Sequence, residues 1–177
     1  MVGSTVPEGD PRELGSMVGL FWINSEEAYL GMPPVKPMPR VVLSAAGLRV
    51  AGADLPPWQW SEITDLRVND VPVRSAAARW VTRAASVAAA ALDAWVPAGP
   101  DEMTVVVATA DNRTETRVFS GASVGYTQRE VDLSHELLAR FVRGATSPTV
   151  MSEWWERDRP SETLGSRSRE ALLESWL

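Results

Sequence analysis

Cysteine is absent from the 177 residues, histidine occurs once, and acidic residues outnumber basic ones by 23 to 17. Without cysteine there is no disulfide, no thiolate nucleophile and no zinc site built on sulfur. The lone His135 cannot anchor a histidine-rich metal site, and in a catalytic triad it would need a nucleophile brought to it by the fold. A net charge of −6 argues against nucleic acid as a partner class and against general attraction to anionic lipid. No long apolar run exists either. The uncharged apolar run between Arg83 and Asp93 is far too short to span a bilayer. The N-terminal residues hold neither a basic n-region nor an apolar h-region, so no signal peptide is visible and the expected location is the cytoplasm. Gly-rich phosphate loops and HExxH are missing, which points away from an enzyme and from any cofactor or metal.

What remains is a chain with 45% apolar and 23% charged residues, the composition of an ordinary globular protein with enough length to bury a core. Its organising stretch is Met103–Val142. Thr104-Val105-Val106-Val107-Ala108-Thr109 is β-branched and apolar, as suits a strand covered on both faces. Asp111-Asn112 supplies a turn, and Thr114–Phe119 returns with Glu115 and Arg117 alternating against Thr116 and Val118. The period then switches to helical. Thr127-x-x-Glu130 has the spacing of a capping box, and Leu133, Leu137, Leu138, Phe141 and Val142 fall on one face. Gly144 is the expected stop.

Upstream, residues 1–16 read as a flexible arm. Met17–Ile23 and Ala28–Leu30 read as strands around a turn at Asn24-Ser25-Glu26. Val41–Leu43 and Leu48–Val50 flank Ser44–Gly47 as a second hairpin, with Gly47 at a position requiring positive φ. Trp60, Ile63, Leu66 and Val68 read as the inward residues of a loop entering a strand. Residues 75–95 form an Ala-rich helical pattern with Trp80 and Trp95 at its ends. Residues 17–147 thus make one domain with that helix inserted, and residues 148–177 a separate tail carrying Trp154, Trp155 and Trp176.

Seven strands followed by a helix resemble the pleckstrin-homology-like fold. Leu43-Ser44-Ala45-Ala46-Gly47-Leu48-Arg49-Val50, followed by Trp60-Ser61-Glu62-Ile63, is similar to the Gly-Leu hairpin and Trp-x-x-Ile step of bacterial PH-like domains. The resemblance covers residues 17–144. It implies an α+β, mainly β architecture: a barrel of seven antiparallel strands with a C-terminal capping helix, serving as a binding module. The inserted Ala-rich helix departs from that pattern, as does the acidic first loop, Asn24-Ser25-Glu26-Glu27, where lipid-binding relatives present basic residues.

Candidate contact residues fall into two groups. Arg74, Arg79 and Arg83 cluster at the start of the Ala-rich helix, where the helix dipole disfavours cations. They read either as an anion contact or as solvated spacing paired with the protein's own acids. In the tail, Trp154, Trp155, Leu172, Leu173, Trp176 and Leu177 are anchors for a protein partner, unless the tail folds back on its own domain; both readings stand on sequence alone. His135 reads as a plain surface or edge residue of its helix, and the acidic pairs Glu26/Glu27 and Asp65/Asp70 as solvated turns. The expected function is a non-enzymatic adaptor or scaffold that binds a protein partner or itself. A peripheral membrane or lipid-headgroup module is one alternative. The other is a small ligand-binding barrel or hydrolase, for which no residue set can be nominated.

Overall fold

The computed structural model describes residues 15–32, 39–74, 101–160 and 162–177. The fold is α+β. Strands β1 (Ser16–Val18), β2 (Phe21–Ile23), β3 (Ala28–Leu30), β4 (Arg40–Leu43), β5 (Gly47–Ala51) and β6 (Trp58–Gln59) form one antiparallel sheet in sequence order. Strands β7 (Ile63–Asn69), β8 (Glu102–Thr109) and β9 (Arg113–Phe119) form a second. Three helices follow: α1 (Gln128–Val142), α2 (Thr149–Asp158) and α3 (Ser166–Trp176). The described residues therefore hold nine strands in two sheets and no closed barrel, where seven strands of one barrel are expected from the sequence. The Ala-rich stretch lies outside the described residues, as does most of the Pro-rich loop before β4.

The additional strands have a local cause. Met17–Ile23 is not one strand, because Gly19-Leu20 makes a two-residue hairpin between β1 and β2, with Gly19 at φ +56°. Gly19 also packs tightly against the helices. A Cβ there would meet Ser134 Oγ and lie 2.8 Å from Leu173 Cδ1. β6 is a two-residue strand against Gly47 and Leu48, followed by a single 3₁₀ turn, Trp60–Glu62, that delivers the chain into β7. At Gly47 a side chain would collide with the Trp58 carbonyl, so the close approach of β6 itself demands glycine.

Several turns fold as their residues require. Asn24 Oδ1 accepts from the amides of Glu26 and Glu27 at 2.9 and 2.8 Å, the Asx geometry that bends β2 into β3. Thr109 and Asn112 close the β8–β9 turn through a 2.8 Å backbone bond. At the start of α1 the capping box is complete: Thr127 Oγ1 accepts from the Glu130 amide at 3.0 Å, and Glu130 Oε2 accepts from the Thr127 amide at 2.8 Å. At its end Gly144, at φ +67°, donates to Phe141, and Ala145 donates to Arg140, which is the Schellman arrangement.

One core joins all of this. Phe21, Ile23, Leu30, Val41, Leu43 and Leu48 from the first sheet face Leu66, Val68, Met103, Val105 and Val107 from the second. α1 closes the gap with Val131, Leu137, Leu138 and Phe141; the Phe141 ring sits edge-on to Phe21 and 5.7 Å from Trp60. The tail belongs to the same core. Met151, Trp154, Trp155, Leu173 and Trp176 are buried in it, with Trp154 packed edge to face on both Trp155 and Trp176.

Candidate functional site

The six tail residues expected to anchor a partner are committed within the chain. Trp154, Trp155, Leu173 and Trp176 are 3%, 4%, 0% and 9% exposed, and Leu172 and Leu177 pack half-buried against the same core. Of the two readings of the tail, the structure has it folded back on its own domain, and polar contacts explain the outcome as much as apolar ones. Arg169 is 5% exposed and donates through Nε to Glu130 Oε1, the capping carboxylate, which is itself fully buried. A second Arg169 nitrogen reaches the Leu164 carbonyl at 2.7 Å. Thr127 Oγ1 donates to Glu170 at 2.6 Å, and Arg129 pairs with Glu174. The charges that make the tail look solvated are the ones that fasten α3 to α1.

The arginine cluster is not assembled into an anion site by the described residues. Arg74 is half-buried and donates through Nε to the Gly125 carbonyl at 2.7 Å, while its amide bonds Tyr126 at 2.8 Å. It locks the end of the β7 segment to the loop before α1. Arg79 and Arg83 lie outside the described residues. Tyr126 is buried at this junction with its hydroxyl oxygen accepting from the Gly121 amide at 3.0 Å, and burial pushes its pKa up. The acidic residues act locally: Asp65 pairs with Arg67 at 2.8 Å, Glu27 pairs with Arg49, and Asp70 accepts from Thr104 at 2.9 Å. Among the described residues no cluster of His, Asp and Glu could hold a metal ion, and no helix is long and apolar enough to cross a membrane.

Among the described residues, a surface with a shape for binding lies between β7 and α1. β7 pairs with β8 on one side, and among the described residues no strand pairs with its other side. Strand geometry turns the N–H and C=O of alternate residues to that free edge. Val68 is one of them. Its amide lies 3.2 Å and its carbonyl 3.1 Å from Nε2 of His135, whose Nδ1 lies 3.0 Å from the Val131 carbonyl. Nδ1 is placed to donate to the Val131 carbonyl and Nε2 to accept from the Val68 amide. His135 is thus not a plain surface residue; it occupies the place on Val68 that a neighbouring strand would take. Two residues back, Leu66 presents its backbone groups to the same side. Asp65, Leu66, Arg67, Val68 and Asn69 line a cleft of about 430 Å³ whose opposite wall is His135 and Ala139.

The sequence places Leu66 and Val68 in a strand and His135 on a helix, but does not show that they meet. Edge position depends on sheet order, and only the pairing of β7 with β8 alone creates the free side. Comparison with protein-family models, with curated proteins and with solved structures finds no match for this chain.

Proposed function

We propose that this chain is a non-enzymatic protein-interaction module, and that it takes an extended segment of a partner protein as an added strand on β7. The observation that carries this reading is the free β7 edge facing a cleft walled by α1. An open edge supplies main-chain hydrogen bonds to any extended segment, and a helix wall supplies side-chain contacts, which is the mode of β-strand addition. A PH-like arrangement, with two sheets capped by the helix after the last strand, is part of the same proposal and rests on the Gly-Leu hairpin and Trp-x-x-Ile step. β9 is the less suitable edge. It alternates Arg113, Glu115 and Arg117 in solvent and is partly closed where Met32 bridges Phe119. His135 spends both ring nitrogens on backbone groups, which favours binding over general-base chemistry.

The test is selection of extended peptides from a random library on the full chain. It is paired with Ala139→Trp, which fills the cleft from a half-buried helix position on its wall. Binders should be recovered on the wild-type chain and lost on Ala139→Trp at unchanged melting temperature. Recovery of binders that ignore the substitution would remove the cleft from the account.

A further inference from the structure

Resting on that reading, we infer that the β7 edge selects an antiparallel segment of the order apolar–acidic–apolar–basic. The register follows from β7 itself. Asp65, Arg67 and Asn69 turn their backbone groups to β8, as the complement of Val68, so at the free edge they are the non-hydrogen-bonded positions. Those are the positions where residues on adjoining antiparallel strands come closest, about 4.5 Å between Cα atoms, and where side-chain pairs interact most. Asp65 and Arg67 both carry exposed charges on the outer face of the sheet. An incoming residue opposite Arg67 is favoured when acidic, and one opposite Asp65 when basic. The residues between them, opposite Val68 and Leu66, point to the inner side, towards Ala139, and are favoured when apolar. Antiparallel entry puts the acid before the base in the partner's chain.

A single segment fits this edge better than the β7 edge of a second copy, although β7 contains a matching Asp65-Leu66-Arg67 order. The His135 ring reaches the outward groups of Val68, so α1 stands beside the edge. A two-fold pairing of β7 with itself would bring both α1 helices into that same space.

The experiment uses two fluorescein-labelled peptides of identical composition, one containing Val-Glu-Val-Lys and the other Val-Lys-Val-Glu. Both are titrated against the full chain and against the double variant Asp65→Arg/Arg67→Asp. Two cross-strand charge pairs correspond to a preference of about three- to tenfold for Val-Glu-Val-Lys on the wild-type chain. The double variant should prefer the other peptide by a similar factor, with an unchanged melting temperature. Equal affinities on the wild-type chain, or a preference that does not reverse, would overturn the charge order while leaving strand addition standing. If neither peptide binds but library peptides do so in a manner sensitive to Ala139→Trp, the inference fails and the proposed function survives; an empty library as well removes both. A dimer in sedimentation that Ala139→Trp dissolves would replace the peptide with a second copy and overturn the choice of occupant.

Discussion

Arg169 and Glu130 form an ion pair inside the protein, joining α3 to the first turn of α1 across 39 residues of chain. Neither side chain has water to fall back on. Removing one partner of a buried pair leaves the other charged and unpaired, which costs about 3–5 kcal/mol, whereas replacing both is often nearly neutral. Arg169→Met should therefore lower stability in urea by about that amount. Adding Glu130→Gln to it should recover part of the loss, because the amide still caps α1 and no bare charge remains. A single variant as stable as wild type would show that the pair is solvated.

Trp154 lies between Trp155 and Trp176 with ring centroids 6.2 and 5.9 Å away. Trp154→Ala should cost about 3–5 kcal/mol through lost burial and the cavity left behind. A chain ending at Ser147 should lose its cooperative melt, since it strips cover from the β1–β2 hairpin and leaves Glu130 without Arg169. An unchanged melt for that truncation would return the tryptophans to the role of partner anchors.

Two glycines separate crowding from backbone strain. Gly144 has φ +67° and open space where a Cβ would go, so Gly144→Ala should cost only about 1 kcal/mol, the penalty of a left-handed alanine. Gly19 has φ +56° and the added contacts with Ser134 and Leu173, so Gly19→Ala should cost clearly more. Denaturant midpoints of the two variants, compared at equal m-value, check the order.

Tyr126 gives the protein an alkaline limb. Its burial raises the folded-state pKa above the ordinary value of 10.0. As pH rises through that value the unfolded chain releases the phenolic proton first, so the unfolded state binds fewer protons and stability falls. The stabilising contribution is fully present below pH 10.0 and is lost between there and the raised folded value. Burial raises Tyr29 in the same direction. Tyr126→Phe should flatten, without abolishing, the loss of stability measured from pH 9 upward.

Much of the architecture is written in local pattern. The capping box at Thr127, the stop at Gly144, the Asn24 turn and the β8–β9 hairpin depend on neighbours in sequence, and their residue chemistry is sufficient to place them. Gly19 escapes the same reasoning, because Met17–Ile23 is continuously apolar and nothing but the glycine marks a hairpin. The tail was legible only as a choice between two surfaces. Its charges look like solvation until Arg169 is seen to meet Glu130, a pairing over 39 residues that no periodicity carries. The cleft was the least legible of all, since it is made by which strand stands last in a sheet.

His135 holds the edge that the account assigns to the partner. His135→Ala removes the Val68 and Val131 contacts and should lower stability by about 1 kcal/mol. It should also tighten strand binding, because the incoming segment no longer has to displace the ring. Weaker binding by His135→Ala would mean that the ring contacts the segment instead of yielding to it.

The most direct measurement is amide hydrogen exchange along the chain with and without a saturating library-selected peptide. Strand addition on β7 predicts that protection rises at Leu66 and Val68, the residues whose N–H groups face the free edge, and that Asp65 and Arg67, already bonded to β8, change little. Protection that rises instead along Arg113–Phe119 or over α2 and α3, with Leu66 unchanged, would contradict the account.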